Sequence, residues 1–208
     1  MGVSIAVFAS GSGSNFQSLV ETARREQWPM DISLLICDKP GAKVLERAKN
    51  LEVPAYPFNP KSYPSKADYE REVLALLEQY QIQWIVLAGY MRLIGPTLLQ
   101  AYGGRIVNIH PSLLPAFPGK NAIEQAFHYP VKVSGVTVHF VDEGMDTGPI
   151  IAQVPVEIAE EDTIGTFTQK IQQVEHWLYP KVVYDLIIGK VTSPVSLCSA
   201  KRDKEGVR

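Results

Sequence analysis

The sequence predicts an α/β protein, a single domain built on one mostly parallel, twisted sheet with helices on both faces. Three observations predict it. Short, wholly apolar runs alternate with segments of helical periodicity through the first half of the chain, and strands covered on both faces read as continuous apolar runs. The 208 residues amount to one domain at about 150 residues per domain, enough to bury a core without disulfide or metal staples. Turn-rich segments follow the ends of the apolar runs, where open α/β sheets bind their ligands.

The first strand covers 3–9 and is ended by Ser10-Gly11-Ser12-Gly13-Ser14-Asn15. Phe16, Leu19, Val20 and Ala23 then keep helical spacing. A second apolar run, 32–37, ends at Asp38-Lys39-Pro40-Gly41, with a helical stretch at 44–48 and a short third strand at 54–58 behind it. Past a proline-rich loop at 60–64, Ser65 and Asp68 resemble a capping box, and Tyr69, Val73, Leu77 and Tyr80 mark one helix face. A buried strand at 84–88 leads through Gly89-Tyr90-Met91-Arg92-Leu93-Ile94 to a helix opened by Pro96. A strand at 105–109 precedes a loop stiffened by Pro111, Pro115 and Pro118, and a short helix spans 121–127. Alternation over 131–141 predicts an exposed edge strand, followed by a turn-rich loop at 142–149 and a last strand at 150–156.

Thr163 opens the longest helix, with Ile164, Phe167, Ile171, Val174, Leu178, Val182 and Leu186 expected on its buried face. Glu160, Glu161 and Asp162 stand at its start, where the helix dipole favours negative charge, and Pro180 predicts a kink. The expected organisation is one domain over 1–190 and a polar, frayed tail over 191–208, with no internal repeat.

Composition removes several function classes. Hydrophobic residues make up 46% and charged residues 20%, which excludes a disordered chain. Twenty Lys and Arg against 22 Asp and Glu give a net charge of −2, so there is no global basic footprint for nucleic acid. No apolar stretch reaches the roughly 18–20 residues of a membrane span. The N-terminus lacks the basic region of a signal peptide, and Ala6 stands where a myristoylation signal needs Ser or Thr. A cytoplasmic protein is expected. Cys37 and Cys198 fit no metal-ligand spacing and read as free thiols, Cys37 in the core. His128, His139 and His176 join no zinc pattern with His110, so no metal is expected.

Three segments carry candidate chemistry. The first is the Gly/Ser turn at 10–15. Its glycines let backbone approach an anion, and the following helix N-terminus supplies free N–H groups. A plain tight turn with an N-cap is the alternative. A dinucleotide fingerprint fits less well, since Phe16 occupies the third glycine's place, although Asp38 ends the second strand as a ribose-binding acid would. A P-loop at Gly119-Lys120 fails, because Leu114 stands where that motif needs Gly.

The second segment is Asn108-Ile109-His110-Pro111-Ser112-Leu113-Leu114-Pro115. Residues two apart on a strand face the same way, so an amide donor and an imidazole share one face, suited to binding a developing oxyanion and moving a proton. A histidine satisfied by backbone groups is the alternative. The third segment is Asp142-Glu143-Gly144-Met145-Asp146-Thr147-Gly148-Pro149, either a solvated turn or the source of a carboxylate that orients a histidine. It lacks calcium-loop spacing.

Together with Ala88-Gly89-Tyr90-Met91-Arg92, and in this order, these segments resemble the folate-dependent formyltransferase family over roughly residues 3–190. The resemblance implies a Rossmann-like formyltransferase fold. It implies formyl transfer from 10-formyltetrahydrofolate to the amine of glycinamide ribonucleotide, in purine biosynthesis and without a metal. Asn108, His110 and Asp146 would be catalytic. Gly13, Ser14, Asn15 and Glu175 would hold the ribonucleotide. Lys66, Met91, Arg92, Leu93, Ile94 and Asn108 would face the folate, Lys66 standing where family members can carry Arg. Other readings remain. A family member acting on tRNA would need a second, basic domain, and a hydrolase of the formyl folate carries an extra N-terminal domain. A non-catalytic nucleotide-binding module would leave Asn108, His110 and Asp146 idle. The oligomeric state is not legible.

Overall fold

The first apolar run becomes the centre of the sheet. In the computed structural model, which describes residues 2–191, β1 (Val3–Ala9) lies between β2 (Met30–Cys37) and β4 (Trp84–Leu87), parallel to both. Beyond β2 lies β3 (Ala55–Pro57), and beyond β4 come β5 (Ile106–His110), β6 (Val133–Phe140) and β7 (Ile150–Glu157). The order is therefore β3-β2-β1-β4-β5-β6-β7, parallel as far as β5 and antiparallel across β5–β6 and β6–β7. The chain moves outward from β1 to β3 and then returns to the other side of β1. That reversal, between β1 and β4, opens a crevice beyond their carboxyl ends.

Strand alternation sends side chains into two cores. Ile5, Val7 and Ala9 join the larger one, which packs α1 (Ser14–Arg25), α2 (Lys43–Asn50), α5 (Ala122–His128) and α6 (Ile164–Ile187). Ala6 and Phe8 join the other, under α3 (Lys66–Gln79) and α4 (Pro96–Tyr102). All five of these β1 residues are at most 1% exposed. Burial of both faces is why the parallel strands read as unbroken apolar runs.

Thr163 closes a full capping box with Thr166, as expected of the residue that opens α6. The helix continues through Pro180 to Ile187. Proline lacks the N–H that would bond the carbonyl of His176, and the Ser18 hydroxyl of α1 donates to that carbonyl instead, at 2.6 Å. The same helix sends the fully buried Tyr179 across the sheet, where its hydroxyl donates to Leu87 O at 2.7 Å, with Val107 O at 3.1 Å.

One strand differs from expectation. The segment read as an exposed edge is β6, an interior strand between β5 and β7. Ser134 to Phe140 are buried, and β7 takes the edge. Thr137 and His139 are hydrogen-bonded rather than solvated, while Ser134 Oγ is buried without a partner. Thr137 Oγ1 donates to Ser112 O at 2.7 Å and accepts from Leu114 N at 3.1 Å and Gln153 Nε2 at 3.0 Å. Cys37 is buried as a free thiol, and burial raises its pKa. The expected tail, beyond Val191, and Cys198 lie outside the described residues. Among the described residues no helix is long and apolar enough to cross a membrane.

Candidate active site

A cleft of about 650 Å³ opens at the carboxyl ends of β1, β4 and β5. Its border includes Gly13, Ser14 and Asn15 after β1, Met91, Arg92, Leu93 and Ile94 after β4, Asn108 and His110 of β5, Asp146, and Glu175 of α6. Every expected site residue except Lys66 thus meets in one place. A second groove of about 670 Å³, between α1, α2 and α6, contains none of Asn108, His110 and Asp146. The strand-end cleft, where the titratable groups converge, is the candidate site.

The centre is a cluster of four side chains. Asn108 and His110 share a face of β5, and across the antiparallel pair Asn108 is matched with His139 of β6. Asp146, at φ 57°, turns its carboxylate back toward β5. Its Oδ2 lies 3.4 Å from His110 Nδ1 and accepts the Gly119 N–H at 2.7 Å. Its Oδ1 lies 3.4 Å from Asn108 Nδ2 and 3.6 Å from His139 Nε2. Burial pushes the Asp146 carboxyl up. The His139 contact, the Gly119 N–H and the charges of His110 and His139 outweigh it and hold the group below the usual carboxylate range.

Acceptor-only partners assign the ring protons. His110 Nε2 lies 2.8 Å from the Phe117 carbonyl, which can only accept, so Nε2 carries a proton. Nδ1 then faces a carboxylate, and the imidazolium form satisfies both sides of the ring. His139 Nδ1 lies 2.8 Å from Phe140 O, which can only accept, so Nδ1 carries a proton, and its Nε2 lies 3.1 Å from Asn108 Nδ2. That contact, shorter than the one to Asp146, fixes the amide. His139 was legible in sequence only as a histidine outside any zinc pattern. The signal that places it is strand register, which requires knowing that β6 runs antiparallel to β5.

The end of the cleft at the β1 loop is built from backbone. Gly13 is the N-cap of α1 in the left-handed region, at φ 78°, and no side chain caps the helix. The first-turn N–H groups therefore remain available to an anion. Gly13 is needed for a second reason, since a Cβ there would lie 2.4 Å from Val44 Cγ2 of α2. One polar atom at this end is unsatisfied, and a neighbouring acid is desolvated. Asn15 Oδ1 is buried without a partner, and burial pushes the Glu175 carboxyl up to about 7 against the pull of an Asn15 hydrogen bond. Glu175 is 8% exposed, so it is not a solvated helix acid.

The opposite end is apolar. Met91, Leu93 and Met145 are exposed large side chains on its border, while Arg92 Nε is buried without a partner. Lys66 is outside this border. It stands on α3, 3.9 Å from Glu70 Oε1, behind the 91–95 segment. Asp142 holds its own turn, accepting from Gly144 N at 3.1 Å and Thr147 Oγ1 at 2.7 Å.

Residues 3–183 match the formyl transferase family model. The chain belongs to the formyl transferase family. This formyl transferase is 57% identical over 182 residues to the phosphoribosylglycinamide formyltransferase of Bacillus subtilis (strain 168), covering 88% of this chain and 93% of that one. It is 36% identical over 187 residues to the trifunctional purine biosynthetic protein adenosine-3 of Homo sapiens, covering 90% of this chain and 18% of that protein. Among solved structures it superposes on phosphoribosylglycinamide formyltransferase from Bacillus Halodurans with a TM-score of 0.86 at 61% identity, covering 88% of this chain and 95% of that one. It superposes on glycinamide ribonucleotide transformylase 1 from Geobacillus kaustophilus with a TM-score of 0.87 at 60% identity, covering 90% and 100%.

Proposed function

We infer that this formyl transferase moves the formyl group of 10-formyltetrahydrofolate to the amine of glycinamide ribonucleotide, giving formylglycinamide ribonucleotide and tetrahydrofolate in purine biosynthesis. The observation that carries the reading is the placement of Asn108, His110 and Asp146 between a backbone anion cradle and an apolar wall. A phosphorylated amine and a pterin need those two ends, and their reacting atoms would meet at the centre.

The bound folate supplies the formyl group, carried on its N10. The α1 N-terminus and Gly13, Ser14 and Asn15 hold the ribonucleotide phosphate. Glu175 and Asn15 take up hydroxyl or amine groups of the same substrate, which satisfies their buried polar atoms. Met91, Leu93 and Ile94 pack on the pterin, and Arg92 supplies a donor beside it. The second N–H of Asn108, which makes only the 3.4 Å contact to Asp146, turns to the formyl oxygen as negative charge develops there. His110 adds charge to that stabilisation; it gives a proton to N10 as the bond from N10 to the formyl carbon breaks and then takes one from the attacking amine, its Nδ1 exchanging the Asp146 contact for the substrate. Asp146 orients His110 through the Nδ1 contact. The chain works in the cytoplasm and needs no metal.

Incubation with formyl-labelled 10-formyltetrahydrofolate tests the reading. Label should pass to glycinamide ribonucleotide and not to methionyl-tRNA. Release of formate at the same rate with and without the amine would replace it with a hydrolase.

A further inference from the structure

The wall at 91–94 has no regular secondary structure, yet four of the cleft's side chains depend on it. Something must fix its backbone. At its start, the Met91 N–H donates to the hydroxyl of Ser10 at 2.8 Å, and Ser10 N donates to Gly89 O at 3.1 Å. At its end, the Gly95 N–H donates to Glu70 Oε1 at 2.6 Å. Ser10 and Glu70 are each 2% exposed, so neither is a surface group that merely happens to reach the segment.

The Glu70 contact is tight on both sides. A Cβ on Gly95 would lie 2.6 Å from Oε2 and 2.7 Å from Oε1, so only glycine lets the backbone approach this carboxylate. Glu70 Oε2 is buried with no hydrogen-bond partner, and the nearest cation, Lys66, is 3.9 Å from Oε1. Holding a carboxylate there has a desolvation cost, which the Gly95 N–H and Lys66 offset only in part. An apolar residue on this face of α3 would avoid that cost, as Tyr69, Val73 and Leu77 do.

We propose that Glu70 is a positioning residue for the folate subsite, clamping the 91–95 wall from behind while Ser10 clamps its other end. The inference rests on the reading that Met91, Leu93 and Ile94 face the pterin. It also gives Lys66 a role that does not require contact with folate, as the cation that accompanies the buried carboxylate. Through Ser10 the clamp joins the wall to the anion cradle, because Ser10 is the residue before Gly11.

Steady-state kinetics of Glu70→Ala and Glu70→Gln, with Leu93→Ser alongside, test the clamp. Glu70→Ala should raise KM for 10-formyltetrahydrofolate about tenfold, with KM for glycinamide ribonucleotide and kcat within about twofold. Glu70→Gln should recover most of the loss, since its amide oxygen still accepts from Gly95. Leu93→Ser should raise the folate KM as well. If Leu93→Ser raises it and Glu70→Ala does not, the clamp is wrong and the subsite reading stands. If Leu93→Ser has no effect, the subsite reading fails and takes the proposal with it. Equal rises in both KM values, or no recovery in Glu70→Gln, would overturn the clamp. Should Glu70→Ala not fold, hydrogen exchange in the wild-type protein decides: protection of the Gly95 amide comparable to that of Leu99 supports the clamp, and exchange at an open-loop rate overturns it.

Discussion

The proposed anion cradle and the proposed catalytic cluster border the same cleft but are built from different material. The cradle is backbone, a left-handed glycine and an uncapped helix start that needs no particular side chain at 14. The cluster is side chains, three of them gathered around Asp146, with His110 only 5% exposed. The difference teaches where each is vulnerable. A backbone site fails when the local fold shifts, and a side-chain site fails when one group is removed.

The largest effect should come from the cluster. His110→Ala should lower kcat by about 10²–10⁴, the range for a positioned acid or base, and stopped assays with both substrates saturating read it. Near-wild-type turnover would break the comparison at its strongest point. Asn108→Ala should cost about 2.7–4 kcal/mol of transition-state stabilisation in kcat, as loss of an oxyanion donor does. Calorimetric binding of glycinamide ribonucleotide should be intact in both variants.

Glu175 sharpens the contrast, because it is a buried acid at the cradle end. Its pKa, about 7 in the folded protein, lies above the ordinary 4.5. Between those values the unfolded chain has lost its proton and the folded chain keeps it, so stability falls as pH rises. Below about 4.5 no penalty remains, and above about 7 it is complete, on the order of 3 kcal/mol. Glu175→Gln should therefore be more stable than wild type at pH 8, about equal to it at pH 4.5, and weaker in ribonucleotide binding. Urea melts at the two pH values check this.

The smallest effects separate backbone from side chain within the cradle itself. Gly13→Val forces a Cβ into Val44 and a left-handed φ, so it should lose about 1–3 kcal/mol of stability along with ribonucleotide affinity. Ser14→Ala should change that affinity by only about twofold, since the donors at this position are backbone N–H groups. A large loss in Ser14→Ala with full stability in Gly13→Val would invert the account.

The same contrast explains what sequence could reveal. The strand–turn–helix at 10–15 was legible because glycine spacing after an apolar run is a local signal, although the glycine at 13 also serves contact with α2, which no local pattern shows. The parallel half of the sheet was legible from its unbroken apolar strands. The cluster was half legible. Asn108 and His110 are neighbours in sequence, but His139 joins them only through β5–β6 register, and Asp146 only through its turn back to His110. The interior position of β6 was misread because Thr137 and His139, hydrogen-bonded inside, look in sequence like the solvated half of an edge strand. Lys66 was placed by resemblance, and its position depends on Glu70, a buried acid that nothing in the local pattern marks.

A crystal structure with glycinamide ribonucleotide and a non-transferable formyl-folate analogue tests the central claim most directly. The account predicts the phosphate on the N–H groups after Gly13, the pterin against Met91 and Leu93, and the amine within about 3–3.5 Å of the carbonyl carbon, beside Asn108 Nδ2 and His110. A ribonucleotide seated instead in the groove between α1, α2 and α6, or a carbonyl oxygen turned away from Asn108, would contradict it.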